Sequence, residues 1–116
     1  MARQGNACGA ITGSLIAIGL ARGRKSNTDP REPAYDSGAE LQRRFVARFG
    51  AVTCRELTGR DIATAEGYAA YVAAGGNQRC GDYLELAART VAELLGDQAP
   101  VTGLPAALTH PSALPA

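Results

Sequence analysis

Three cysteines, Cys8, Cys54 and Cys80, are the residues of this 116-residue chain best suited to chemistry. Each follows a signal for the start of a helix. Cys8 comes just after Asn6 and opens the apolar run Cys8-Gly-Ala-Ile-Thr-Gly-Ser-Leu-Ile-Ala-Ile-Gly-Leu20. Cys54 lies inside Thr53-Cys54-Arg55-Glu56, which reads as a capping box, with a Thr cap and a Glu three residues later. Cys80 lies between Asn77 and a further cap signal, Asp82-Tyr-Leu-Glu85. A thiol in a first helical turn meets unpaired N–H groups and the positive end of the helix dipole. That field favours the thiolate, which is both the nucleophile and the metal ligand. Arg55 and Arg79, each adjacent to a cysteine, act in the same direction. The competing reading is structural, because a free cysteine is often a small, buried and inert packing residue.

Three chemistries are open to such thiols. Folding that brings Cys8, Cys54 and Cys80 together makes them ligands for a metal or an iron–sulfur cluster, with the fourth ligand from another group or missing. Spacing supports this weakly, since the chain has no Cys-x-x-Cys pair, and its single histidine, His110, sits in a Pro-rich tail and reads as solvated. Alternatively, two of the cysteines form a reversible disulfide while the third attacks or resolves, in exchange with a redox partner protein or a small thiol. Cysteine hydrolase chemistry lacks the histidine it needs near the nucleophile. Asp61, Glu66, Asp82 and Glu85 read as caps or solvated charges, and no phosphate loop or dinucleotide fingerprint occurs.

The length sets a single domain with a modest core. Hydrophobic residues make up 46% but include only two Phe, four Tyr and no Trp, so the core relies on Ala, Leu, Val and Ile and suits closely packed helices. Twelve basic against eleven acidic residues give a net charge of +1, too small a basic field for nucleic-acid binding. An odd cysteine number without close pairs argues against a secreted disulfide framework and for a reducing, cytoplasmic setting. The uncharged stretch 7–21 is shorter than the roughly 20 residues of a membrane span. It carries three glycines and arginines on both flanks and lacks a small-x-small cleavage site, so it reads as a buried core helix.

The elements that must position the cysteines are all helical. A first helix is expected over 7–20 or 7–21, with Ile11, Leu15 and Ile18 on one face and Ile16 and Leu20 on others. A helix apolar all round belongs at the centre, touched on several sides. A charged, Pro-punctuated loop follows over 23–33. Ser37-Gly-Ala-Glu40 reads as a capping box that starts an amphipathic helix carrying Leu41, Phe45 and Phe49 and stopped by Gly50. A short turn of helix follows Thr53 and ends at Gly59. An Ala-rich helix over 61–74, with Ile62, Ala65, Ala69 and Val72 at helical spacing, is closed by Gly75-Gly76. The last helix runs from 80 or 82 to 95, with Leu84, Ala88, Val91 and Leu95 inward and Gly96 as its stop. The expected fold is an all-α bundle of four to five helices over 1–96, followed by a flexible Pro/Ala-rich tail over 97–116.

Cys8-Gly9-Ala10-Ile11-Thr12-Gly13 is a CGAxxG motif. Together with the segment 45–59, where Phe49-Gly50 precedes Cys54-Arg-Glu-Leu-Thr-Gly59, and with Cys80 ahead of Val91-Ala-Glu-Leu-Leu95, it resembles the C_GCAxxG_C_C redox-active proteins over about residues 4–95. The resemblance implies a redox or metal-linked role for Cys8, Cys54 and Cys80. By analogy with some cluster-bearing cytochromes, it also implies an iron–sulfur cluster as a candidate cofactor. The family pattern has a further cysteine on a helical stretch before the motif. Here Met1-Ala-Arg-Gln-Gly-Asn6 resembles the family's glycine-rich approach to it, which is expected of a gene start set too late or of a truncated chain. Loss of a helix that packs on the central one would expose apolar surface around Ile16 and Leu20 and favour a homodimer. Three readings follow. The first is a redox protein using the three cysteines at one site for thiol–disulfide or electron-transfer chemistry. The second is an iron–sulfur or other metal carrier without turnover, and the third is a helical interaction module with structural cysteines.

Overall fold

Among the described residues, the turn signals and apolar periods resolve into five helices and no strand. A computed structural model describes residues 2–96; the expected tail over 97–116, with His110, lies outside the described residues. The helices are α1 (Gly9–Arg22), α2 (Glu32–Phe49), α3 (Cys54–Thr58), α4 (Ala65–Ala73) and α5 (Gly76–Leu95). Among the described residues the one extended pairing is an isolated antiparallel bridge between Ala7 and Thr53.

The central position of α1 follows from its composition. It packs against both α5 and α2, which also pack on each other, while α4 leans on α5. Ala10, Ile11, Ser14 and Ile18 form its buried face. Ser14 donates its hydroxyl to the Ala10 carbonyl at 2.6 Å, so this buried hydroxyl is paired within its own helix. Yet α1 is not enclosed. Its neighbours cover two sides, and Ile16 and Leu20 remain 66% and 60% exposed.

In α2 the expected inner face is present, with Leu41 and Phe45 each only 1% exposed and Phe49 packed beside them. Gly50 ends the helix at φ +84°, a left-handed cap that glycine adopts without a Cβ penalty. The start differs from expectation. The helix begins at Glu32, not at Ser37, because Pro33 occupies its first turn, where a proline has no N–H to leave unpaired and a pre-set φ. Ser37 is therefore buried mid-helix, and its hydroxyl accepts a hydrogen bond from Arg22 Nη1 at 2.8 Å. The same guanidinium reaches the Leu94 carbonyl, tying α1, α2 and α5 together. Glu40, expected as the partner of a Ser37 cap, instead pairs with Arg43 and Arg44, and Arg44 continues to Glu93.

The helix α3 agrees with its capping box. Thr53 Oγ1 accepts the Glu56 N–H at 3.2 Å and donates to the Glu56 carboxylate at 2.8 Å, and Gly59 closes the turn at φ +67°. Two later expectations need correction. α4 starts at Ala65 rather than Asp61, because the Asp61 carboxylate accepts the Ala63 N–H and Thr64 caps the helix through the Gly67 N–H. Its buried residue is Tyr71, while Val72 faces out; Ile62 is buried, but in the turn before the helix. α5 starts at Gly76, four residues before Cys80, and turns inward Tyr83, Ala87 and Thr90. The expected stripe of Leu84, Ala88, Val91 and Leu95 sits one residue further round, and Leu84 is 59% exposed. The aromatic side chains decide this rotation. Tyr83 packs edge-on against Phe49 at 4.7 Å between ring centroids and 5.9 Å from Phe45, whose ring lies 5.0 Å from Phe49.

This aromatic group and the adjoining Ala10, Ile11 and Ala87 form the core. Phe45→Ala is expected to lower the free energy of unfolding by about 3–5 kcal/mol, the usual cost of emptying a buried phenylalanine site. Urea unfolding followed by helical circular dichroism checks it; a loss under about 1 kcal/mol would mean the site is not the centre of the core.

Candidate functional site

The site begins with the backbone bridge. The Cys8 N–H donates to the Val52 carbonyl at 2.8 Å and the Cys54 N–H donates to the Asn6 carbonyl at 2.7 Å. These two bonds flank the Ala7–Thr53 pair and fasten the approach to α1 against the approach to α3. Cys8 is the N-cap residue of α1 and Cys54 the first residue of α3. Each lies one residue beyond the bridged pair, so the alternation of an extended pair starts both side chains from the same side. The third cysteine arrives from α5. Cys80 and Cys8 both pack on the core cluster that contains Tyr83.

All three cysteines are free and half-buried. They lie within electrostatic reach of one another. The Cys54 thiol is held above its ordinary range first by burial, with the charges of Cys8 and Cys80 adding to the shift. The Tyr83 phenol is also pushed up, chiefly by burial, and it too senses Cys80, Cys8 and Cys54. Its hydroxyl donates to the Leu57 carbonyl at 3.2 Å, fixing α5 against α3. Tyr83 thus stands in the core cluster on which Cys8 and Cys80 pack and bonds the helix that carries Cys54.

The expected helix-dipole activation does not survive at Cys54. Every N–H of the first turn of α3 already has a partner: Cys54 bonds Asn6, Arg55 bonds the Gly5 carbonyl at 3.4 Å, Glu56 bonds Thr53 Oγ1, and Leu57 bonds the Thr53 carbonyl at 2.9 Å. With those donors used, burial decides the direction and favours the neutral thiol. Cys80, expected in a first turn, lies in the second turn of α5 because that helix starts at Gly76. Nor do the two arginines aim at the sulfurs as expected. Arg55 pairs with Asp61 at 3.4 Å, and Arg79 lies over the Tyr71 ring at 5.6 Å from its centroid.

Sequence reasoning missed Tyr71 and Tyr83. The Tyr71 hydroxyl is 3.1 Å from Cys80 Sγ, and the ring is 1% exposed. Gly76 makes that position available, since a Cβ there would come within 2.4 Å of the tyrosine ring carbons. Tyr83 had a usable signal, standing three residues after Cys80 and so on the same helical face. Tyr71 had none, because only the turn at Gly75, with φ +82°, returns α5 past α4.

Among the described residues no three His, Cys, Asp or Glu side chains gather closely enough to hold a metal ion. Of the candidate acid–base groups, Asp61 caps a turn and pairs with Arg55, and Glu85 pairs with Arg89 at 2.7 Å. No helix among the described residues is long and apolar enough to cross a membrane.

An all-α bundle with three free thiols belongs to the class of small cysteine-motif proteins. Comparison with protein families places it more narrowly: the family described as "Putative redox-active protein (C_GCAxxG_C_C)" matches residues 1–94. The chain belongs to that family, in agreement with the resemblance of its CGAxxG motif. No curated protein and no solved structure matches it.

Burial of these acids has a consequence for stability. The folded state holds the Cys54, Tyr71 and Tyr83 protons more tightly than the unfolded chain does, so their contribution is whole below the ordinary thiol and phenol range. It is lost as the pH rises, first as unfolded thiols ionise near about pH 8.5 and then as phenols do near about pH 10. The unfolding midpoint should therefore fall steadily from about pH 8 to about pH 11, with the early part of the fall reduced in Cys54→Ser. A midpoint that is flat or rising across this window would contradict the assignment.

Proposed function

We propose that the protein is a thiol–disulfide redox protein in which Cys8 and Cys54 form the reversible disulfide and Cys80 is the third thiol of the same site. The observation that carries this reading is the antiparallel Ala7–Thr53 bridge, which sets Cys8 and Cys54 one residue to either side of the bridged pair, diagonally across it and on the same face. In the oxidising direction the two thiols lose two protons and two electrons. The S–S bond of a partner, either a redox protein or a low-mass disulfide, breaks and takes them up as two thiols, while an S–S bond forms between Cys8 and Cys54. Three free thiols fit a reducing, cytoplasmic setting. The family's redox character supports the reading at its coarsest level.

The test is equilibration of protein purified without oxygen in glutathione redox buffers, followed by non-reducing peptide mass mapping. The expected product is a Cys8–Cys54 disulfide. Cys8→Ser and Cys54→Ser should abolish it, and Cys80→Ser should leave its equilibrium intact. Iron with acid-labile sulfide in the purified protein, or a disulfide that always includes Cys80, would overturn the reading.

A second reading, a helical interaction module that pairs with its own copy, is favoured by one observation. Ile16, Leu20 and Leu84 are exposed, beside a groove of about 340 Å³ lined by Gly9, Gly13, Ala17, Leu84, Ala88 and Val91. Under it the chain sediments as a homodimer, and Ile16→Glu with Leu84→Glu sediments as a monomer of unchanged helicity. A parent chain that is monomeric at every concentration excludes this reading.

A further inference from the structure

We propose that Tyr71 is a positioning residue that holds Cys80 as the thiol attacking an incoming disulfide first, an inference that rests on the thiol–disulfide reading above. Among the described residues, Cys80 Sγ is the cysteine sulfur with a side-chain hydrogen-bond partner, the Tyr71 hydroxyl at 3.1 Å. That partner is fixed. Its ring is 1% exposed, packs on the bare backbone of Gly76, and carries the Arg79 guanidinium over its face. A phenol O–H is a good donor and a thiolate a far better acceptor than a thiol, so this contact strengthens as Cys80 loses its proton. It also aims the sulfur. Burial keeps Tyr71 protonated and hence a donor well beyond neutral pH.

The surroundings differ at the other two cysteines. Cys8 makes no side-chain capping bond in α1, and Cys54 sits where burial favours the neutral thiol. Cys80 is half-buried, partly exposed as reactive cysteines are, and the Arg79 guanidinium lies over the ring of its Tyr71 partner. In the reaction the Cys80 thiolate attacks one sulfur of a disulfide R–S–S–R. That bond breaks, an RS⁻ thiolate leaves and takes a proton from water, and Cys80–S–S–R remains. Cys8 or Cys54, as thiolate, then attacks the R-bearing sulfur of the mixed disulfide. Cys80 is the leaving group, and the Tyr71 O–H stabilises the sulfur anion it becomes. The second of the bridge-held pair displaces R as its thiolate, forming the Cys8–Cys54 disulfide. Both RS groups end as thiols, and Cys80 is regenerated.

The experiment adds glutathione disulfide to the fully reduced native protein near neutral pH, quenches with acid at early times and maps glutathione by mass. The first adduct is expected on Cys80. Tyr71→Phe keeps the ring on Gly76 and should slow the Cys80 adduct about tenfold, the worth of one hydrogen bond to a charged group. Rates at Cys8 and Cys54 and the helical circular dichroism should be unchanged. Arg79, Tyr83, Cys8 and Cys54, the other charged or titratable groups around Cys80, are left in place by this substitution. An unchanged Cys80 rate in Tyr71→Phe, a first adduct elsewhere, or acceleration at all three cysteines together would overturn the proposal. The two readings fail separately. If the Cys8–Cys54 disulfide forms at equilibrium but Cys80 shows no Tyr71-dependent priority, the inference falls and the function stands. If Cys80 shows that priority and no Cys8–Cys54 disulfide ever forms, the role of Tyr71 stands and the function falls.

Discussion

Two backbone hydrogen bonds, from Cys8 to Val52 and from Cys54 to Asn6, set the geometry on which the rest of the thiol site depends. They flank the bridged pair that joins the segment before α1 to the segment before α3, and both cysteines belong to them. Without them, α3 has little reason to exist. A five-residue helix forms a single turn, for which the nucleation cost is not recovered in isolation. What sustains it is tertiary: the bridge in front, the Thr53 cap, and the Tyr83 hydroxyl on the Leu57 carbonyl. The position of Cys54 is thus a property of the whole assembly rather than of its own helix.

The same construction explains why burial outweighs the helix dipole at this cysteine. A dipole acts on a side chain through N–H groups that have no other partner, and here the bridge and the cap take all of them. The aromatic packing of Phe45, Phe49 and Tyr83 supplies the low-dielectric side of the site. Cys80 stands apart because its sulfur shares a hydrogen bond with the Tyr71 hydroxyl and it lies beyond the first turn of its helix. Three thiols that read alike in the sequence thereby occupy three different electrostatic situations.

How much of this was legible follows from which signals are local. The capping box at Thr53 and the stops at Gly50, Gly59 and Gly96 depend on neighbours a few residues away, and all four hold. The starts of α2 and α5 were misplaced because Pro33 and Gly75-Gly76 read as punctuation, although a proline in the first turn and a left-handed glycine cap are also ways to begin a helix. The inward face of α5 was misjudged by one residue, since Leu84-Ala88-Val91 and Tyr83-Ala87-Thr90 are adjacent stripes. Only the aromatic rings of α2 choose between them. The family is legible in CGAxxG and the two later cysteines, and the match over residues 1–94 agrees. The bridge between the approaches to α1 and α3 is not, because a single bridged pair has no alternating pattern to display.

The arrangement also divides labour by stiffness. Cys8 sits at the head of the central helix and Cys80 in a long one, both against the core. Cys54 sits on the shortest helix, whose hold on the rest is a bridge, a cap and one tyrosine hydrogen bond. Forming a disulfide demands a Cα separation of about 4.4–6.8 Å and a defined torsion, so one partner must be able to adjust while the other is held. Local openings concentrate in elements with few buried contacts, and α3 contributes only Thr58 to the buried set. The bridge therefore joins the short α3, which carries Cys54, to the head of the central helix, which carries Cys8. On the proposed reading this is what lets the pair close and reopen without disturbing the packing of α1, α2 and α5.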